Sequence, residues 1–448
     1  MQIKLPEEVV FILHTLGKNG FEAFVVGGCV RDSLSGKEPH DWDITTSALP
    51  EEVKRCFERT IDTGIRHGTV TVRVNHQSFE VTTYRVDGEY ENNRKPKQVS
   101  FTDDITLDLS RRDFTVNAMA YHPVCGLVDP FGGEEDIRRK IIRCVGDPQQ
   151  RFEEDALRML RAVRFSAQTG FSIEENTLHA IHRKHTLIAN ISIERIREEL
   201  NKILLSDDVM KLKILYDTGI LRDILPELCD CFETEQHIKY HIYDVGTHSL
   251  HVTQNVPKKL YLRWAALLHD LGKPAKKTTD EDSVDHFKGH GEVSVQLAAD
   301  ICRRFKMDNR STDKILRLIK YHDREIINRK KTVKRAVLDV GEDIYLDLLD
   351  LKRGDAKGQN LVWSAPRLGH YDELERIYYE CKAEQEAFSL RDLAVSGNDI
   401  KNMGFQGKEI GLILSHLLLY ILDNPEDNRL DTIHEIIEKN KKEWLEMP

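Results

Sequence analysis

The chain has 448 residues, 40% of them hydrophobic and 31% charged, with a formal net charge of -10. That length predicts roughly two to four domains with ample core, and the composition excludes a disordered or fibrous chain. There is no apolar run long enough to span a bilayer, MQIKLPEEVV lacks the form of a signal peptide, and eight cysteines without framework spacing predict a reducing, cytoplasmic setting. The acidic balance does not advertise a nucleic-acid partner, but whole-chain charge says little about a local basic groove.

An amphipathic helix is expected over residues 6–19, then a short apolar strand over 24–26. The strand runs into Gly27-Gly28 and on to Cys29-Val30-Arg31-Asp32. Glycines let the backbone approach a phosphate closely. Nine residues further on, Asp41-Trp42-Asp43 spaces two carboxylates i, i+2, which share one face on an extended segment. Two hard oxygen ligands on one face suit Mg²⁺ held between protein and substrate phosphates, and the chemistry this suggests is nucleotidyl transfer. Either element alone reads as a turn or as surface aspartates. The ordered combination carries the inference.

After a helix over 50–58, alternating apolar residues predict paired strands at 69–74 and 79–84. Glu80, between Phe79 and Val81, faces away from their side, as a solvated residue or as a third carboxylate beside Asp41 and Asp43. The polar, glycine-bearing stretch from Arg85 to Arg94 reads as a mobile loop. Arg111, Arg112 and Asp113 precede an apolar stretch, residues 114–121, that reads as a helical face. An arginine fork suits phosphate and an aspartate accepts from a ribose hydroxyl, although a solvated salt-bridge cluster explains the same residues. Asp129-Pro130-Phe131-Gly132-Gly133 reads as the turn that closes an α/β head.

From about residue 150 the pattern is almost wholly helical. Within 151–165, Asp155, Arg158, Arg161 and Arg164 recur every third position with Leu157, Leu160 and Val163 between them. On one continuous helix that step sets Asp155 and Arg158 side by side, facing a cleft. An acid accepting from an exocyclic amino group and an arginine donating to a ring nitrogen or carbonyl fit the Watson–Crick edge of cytosine or adenine. They fit uracil and guanine poorly, and each good bidentate contact is worth roughly 1–3 kcal/mol of discrimination. Exposed i, i+3 ion pairs are the ordinary alternative.

The ordered set GGCVRD, DWD, RRDFTVNAMAY and EDALRMLRAVRF resembles the class II tRNA nucleotidyltransferases, the CCA-adding enzymes and their bacterial poly(A) polymerase relatives, over about residues 1–210. The resemblance implies a polymerase-β-type head with Gly28 and Arg31 at the triphosphate, and with Asp41 and Asp43 holding Mg²⁺. It implies Arg112 and Asp113 at the sugar and phosphates. Asp155 and Arg158 would be a protein template selecting C and A, supported by Arg161 and Arg164. The implied partners are the tRNA 3′ end, CTP and ATP. The stretch from Arg85 to Arg94 resembles the flexible element needed to switch from C to A, so full CCA addition is expected.

Further on, His248 is followed by His269-Asp270-Leu271-Gly272-Lys273 and then by His322-Asp323, mixed nitrogen and oxygen ligands for a divalent metal. This set resembles the HD phosphohydrolase superfamily, with His248, His269, Asp270 and Asp323 at its ligand positions and a divalent transition metal as cofactor. His290 and His322 are additional candidates, whereas Cys229-Asp230-Cys231 is too short and isolated to be a metal site. The stretch 390–411 resembles the tail of bacterial members. There Gly407 ahead of a helix either presents Lys408 and backbone amides to RNA phosphates or simply caps the helix.

The expected fold is therefore α+β: a nucleotidyltransferase head (1–147), a helical neck (148–212), a helical body with the HD module (213–360) and a helical tail (361–448). The expected activity is template-independent addition or repair of the tRNA 3′-terminal CCA. A poly(A) polymerase of the same superfamily, and an HD phosphohydrolase with an RNA-binding head, are the competing readings.

Overall fold

A computed structural model describes residues 3–446 apart from 89, 92, 94, 97, 98, 238–241 and 385. Contacts divide the chain into two compact units, Met1–Pro226 and Glu227–Pro448.

The first unit opens with α1 (Glu7–Lys18), whose Val9, Ile12, Leu13 and Leu16 recur at helical spacing and are all buried. They pack on a sheet of seven strands: β1 (Ala23–Val26), β2 (Ile44–Thr46), β3 (Thr60–Gly64), β4 (Thr69–Val74), β5 (Gln77–Thr83), β6 (Ala120–His122) and β7 (Gly126–Val128). Their order is β7-β6-β1-β2-β5-β4-β3, with β2 and β5 parallel and the other pairs antiparallel. Val25 lies opposite Ile44 and Tyr121, and Ile44 opposite Val81, so these side chains share one face and build the larger core with α1. Phe24, Val26 and Ala120 alternate to the second face and pack with Tyr84 and Leu109. By the same parity Asp43 and Glu80 turn to that second face from neighbouring strands.

Two expected helices give way to tertiary structure. The stretch after Asp113 is a 3-10 turn, Thr115–Asn117, followed by β6. Ala120 and Tyr121 pair with Val26 and Val25 in the sheet, and that ladder overrides the local apolar pattern. The single helix expected over 151–165 is two, α2 (Pro148–Glu154) and α3 (Leu157–Thr169), with Asp155 extended between them at φ -139°. The Asp155 carboxylate accepts from Leu157 N at 3.1 Å, the capping behaviour that makes aspartate a helix boundary. The turn at 129–133 is present: Asp129 accepts from Gly133 N at 2.7 Å and Glu134 N at 2.9 Å at the start of the next helix. In the expected loop, Arg85–Asp87 pairs with Val99–Phe101, while Glu89, Asn92 and Arg94 lie outside the described residues.

The second unit is helical apart from one short strand pair among its described residues. It contains helices Val245–Asn255, Leu260–Leu268, His290–Arg304, Asn309–Tyr321 and Tyr345–Lys357, followed by the long Leu361–Ala383. The last two helices, Lys408–Asp423 and Leu430–Glu446, form a separate apolar core through Leu417, Ile421, Ile433 and Ile437. Gly407 stands at the start of the first with φ 55°, as the sequence predicts. No helix among the described residues is long and apolar enough to cross a membrane.

Candidate active site and metal centre

The second face of the sheet ends in a cavity of about 560 Å³. Gly27, Gly28 and Asp43 form one wall, and α3 forms another through Arg158, Arg161, Arg164 and Phe165. At Gly27 the chain leaves β1 with φ 82°, and a Cβ there would lie 3.0 Å from Arg112 Nη1. Arg31, one turn into Gly28–Leu34, also lines the cavity. Asp41 and Glu80 are exposed and stand outside the cavity lining, beside Asp43. Desolvation by the surrounding walls raises the Asp43 carboxyl above its ordinary value, and the charges of Glu80 and Asp41 push it the same way against Arg112. Asp41 and Glu80 thus repel the Asp43 carboxylate beside a cationic cavity, and a divalent cation drawn to Asp43 would relieve that repulsion.

Seven arginines face this space: 31, 111, 112, 158, 161, 164 and 195. Each is held by a carboxylate. Arg31 pairs with Asp32 at 2.8 Å, Arg158 with Glu154 at 2.6 Å, Arg164 with Glu199 at 3.0 Å and Arg195 with Asp155 at 3.0 Å. Arg161 closes on Asp113 at 2.5 Å. Arg111 and Arg112 share Asp108, which is fully buried and also accepts from Thr45 Oγ1 and Arg85 N. Burial opposes ionisation of Asp108 and Asp113, but the arginines outweigh it; the Asp113 carboxyl is held down at about 2. Burial pushes Arg164 down to about 10 against the pull of Glu199. The Phe165 ring lies under three guanidinium groups, Arg31 at 5.1 Å, Arg161 at 5.4 Å and Arg164 at 4.1 Å.

Asp113 lines the cavity with both oxygens engaged: Oδ1 accepts from Phe114 N and Asn117 Nδ2, and Oδ2 accepts from Arg161. Asn117 Oδ1 in turn accepts from Arg31 at 2.7 Å, so one polar relay runs Arg31, Asn117, Asp113, Arg161. Asp155 and Arg158 reach the same cavity and are joined through the backbone, where Arg158 N donates to the Asp155 carbonyl at 3.0 Å; the Asp155 carboxylate holds Arg195, and the Arg158 guanidinium is anchored by Glu154 and the carbonyls of Arg151 and Arg111. Sequence reasoning missed Asp108, Asn117, Glu199 and Arg195. The i, i+3 and i, i+4 spacing of Asp108 to Arg111 and Arg112 is a local signal that could have found the first. Arg195 lies forty residues from its partner and leaves no local trace.

The second unit gathers the histidines. His248, His269 and Asp270 form one group whose ligand atoms all lie within 4.8 Å of one another; Asp270, His290 and His322 form another. The Nδ1 atoms of His248, His269, His290 and His322 face the carbonyls of Gly358, Ala266, Phe287 and Ile319. A carbonyl partner fixes the proton on Nδ1 and turns the Nε2 lone pair toward the centre, the tautomer a metal ligand requires. His269 Nε2 lies 3.1 Å from Asp270 Oδ2, which Lys273 Nζ also meets at 2.7 Å, and the converging nitrogen and oxygen donors fit a divalent cation. Asp323, with a 65% exposed side chain, approaches His290 at 3.1 Å and His322 at 3.3 Å. His248 instead meets Asp355, at 3.0 Å. Sequence reasoning missed Asp355, whose only signal is its place two turns after buried Leu348 on the same helical stripe.

Residues 23–143 match the poly A polymerase head domain, residues 170–232 the probable RNA and SrmB-binding site of polymerase A, and residues 238–356 the HD domain. A CCA-adding enzyme of Lactobacillus helveticus is 35% identical over 97% of this chain and 98% of its own length. One from Bacillus pumilus is 35% identical over 97% of this chain and 95% of its own. The crystal structure of the Bacillus stearothermophilus CCA-adding enzyme in complex with CTP superposes with a TM-score of 0.74 at 30% identity, covering 98% of both chains.

The bracing of the arginines is testable at the most deeply buried pair. Glu199→Ala strands Arg164 beside Phe165 without its carboxylate, and the expected loss is roughly 3–5 kcal/mol in urea unfolding of the full chain. A loss below about 1 kcal/mol, the scale of an exposed ion pair, would contradict this assignment.

Proposed function

The chain belongs to the family of CCA-adding enzymes, and from that premise we propose how its residues divide the work of completing the tRNA 3′ end. CTP and ATP are the substrates, and the nucleotide is chosen without a nucleic-acid template. The terminal ribose 3′ oxygen of the RNA bonds to the α-phosphorus, the α–β bridging bond breaks, and pyrophosphate leaves. The observation that carries this reading is a single cavity uniting the Gly27-Gly28 turn, Asp43, seven arginines and the Asp155–Arg158 segment.

Gly27 and Gly28 admit the triphosphate close to the backbone, and Arg31 and Arg112 meet its charge. Asp41 and Asp43, with Glu80, would hold Mg²⁺, which when bound would lower the pKa of the ribose hydroxyl and neutralise the leaving group. Asp155 and Arg158 read the Watson–Crick edge, Asp155 through the lone pairs that Arg195 and Leu157 N leave free on its two oxygens and Arg158 through a guanidinium fixed by Glu154. Asp113 keeps Arg161 aimed into the cavity. In the second unit, His248, His269, Asp270 and Asp355 hold one divalent metal position, and Asp270, His290 and His322 with Asp323 hold an adjoining one. A divalent metal bound there supplies the polarisation that phosphate-ester hydrolysis needs.

On a tRNA ending before its CCA, CTP alone is expected to give CC, ATP alone nothing, and both together CCA. A run of A residues from ATP alone would mark a poly(A) polymerase and contradict the reading. Converting Asp41 and Asp43 to Ala together is expected to abolish addition while tRNA binding persists; substantial incorporation in that variant would remove both from the metal site.

Nucleotide choice gives a separate prediction. Asp155→Ala and Arg158→Ala are each expected to erode the preference for C and A over U and G by roughly 1–3 kcal/mol, read as the ratio of kcat/KM values. Wild-type selectivity in both variants would reduce the pair to surface charge.

A further inference from the structure

Trp42 separates Asp41 from Asp43 and faces the other way. Asp43 lines the arginine cavity, whereas Trp42 packs against the larger core, on the opposite face of the sheet. There it lines a separate cavity of about 550 Å³ with Ile3, Leu5, Pro6 and Pro39. Ile3 is buried, and its N–H donates to Tyr121 Oη at 3.3 Å, which pins that wall to the sheet. The backbone around Trp42 is tied at two points: Lys37 N donates to the Asp32 carbonyl at 2.8 Å, and Val26 N donates to the Asp43 carbonyl at 3.0 Å. Among the described residues, no hydrogen bond reaches the stretch 38–42 between them. Trp42 is the one residue of that stretch packed against the larger core. Asp41 lies within the stretch, so its place depends on its neighbour's side chain.

We propose that Trp42 is a positioning residue for the metal carboxylates: its indole, seated on the core behind them, holds Asp41 where it can share a cation with Asp43. Metal ligands are oriented by the groups behind them, and loss of such support costs roughly 10- to 100-fold in metal affinity. An alanine at this position would join the volume of the ring to the neighbouring cavity and leave the stretch without its anchor. The residues assigned to the triphosphate, Gly28, Arg31 and Arg112, lie outside the stretch and keep their own supports. The inference rests on the reading that Asp41 and Asp43 hold Mg²⁺, and it goes beyond that reading by naming the side chain that sets their spacing.

The test titrates the full chain with Mn²⁺ in the presence of CTP and without tRNA, so that no turnover occurs. Because the second unit also offers metal ligands, the signal assigned is the CTP-dependent Mn²⁺ binding lost in an Asp41→Ala, Asp43→Ala double variant. Trp42→Ala is expected to raise the Mn²⁺ concentration for half-saturation by roughly tenfold or more, and to lower kcat for C addition at fixed metal. CTP affinity measured in EDTA is expected to stay at the wild-type value. Trp42→Phe, which keeps a ring on the core, is expected to restore most of the metal affinity. Should Trp42→Ala fail to fold, Trp42→Leu carries the same comparison with a smaller shift. Wild-type Mn²⁺ affinity in the folded variant would overturn the inference and leave the carboxylate reading standing. An equal loss of CTP affinity in EDTA would make the ring a general support of the fold and overturn it as well. CTP-dependent Mn²⁺ binding that is absent from the unaltered chain, or undiminished in the double variant, would overturn the carboxylate reading itself, and the inference with it.

Discussion

Seven guanidinium groups around one cavity repel one another, and the first unit is organised to hold them there. Arginine cannot escape by losing its proton, so each group needs a counter-charge. Asp113 and Asp155 hold their arginines from within the cavity lining, while Asp32, Asp108, Glu154 and Glu199 hold theirs from outside it. Asp108, Asp113 and Glu199 are buried, and Asp108 serves two arginines at once. The donors left over point inward, toward the space a triphosphate and a base would fill. This constraint explains why the polar residues are spread so widely. Asp108 sits on the short helix Ile105–Ser110, Asn117 on a 3-10 turn and Glu199 on Ile193–Leu204, yet each acts on a cavity arginine or on the side chain that holds one.

Much of this was legible in the sequence, and the failures have a common cause. The glycine turn and the facing of Glu80 follow from local rules of turn and strand geometry, and the register of the sheet agrees with them. The alternation that sent Glu80 away from Phe79 also sent Asp43 to the same face, because β2 and β5 are parallel and in register at Ile44 and Val81. The strand at 120–122 was hidden by an apolar run compatible with either helix or strand, and only its partners in β1 decide between them. The break at Asp155 was hidden by a three-residue periodicity that continues across it, although an aspartate at that point is a natural cap. Arg195 and Asp355 were invisible because their partners are far along the chain. A long-range ion pair leaves no periodicity to read.

The two units arrange their charges by different physical means. The first builds in an excess of fixed cations and adds carboxylates for a metal at the edge. The second keeps a cavity of balanced charge beside a cluster of four histidines, Asp270 and Asp355. There Lys352 is buried against two backbone carbonyls and Arg324 pairs with Asp339, so two of the three cations lining that cavity are committed within the fold. Each histidine is oriented by a backbone carbonyl one turn or more away, so the cluster is set by helix packing and not by the ligands themselves.

The central claim is that buried carboxylates act through the arginines they hold. A double-mutant cycle on Asp113 and Arg161 tests it directly, with CTP affinity as the readout in the Asp113→Asn, Arg161→Ala and combined variants. If Asp113 serves only to aim Arg161, the combined variant binds CTP no worse than Arg161→Ala alone, and the coupling reaches roughly 1 kcal/mol. Losses that simply add would show that Asp113 touches the nucleotide on its own account, and would contradict the bracing of the cavity described above.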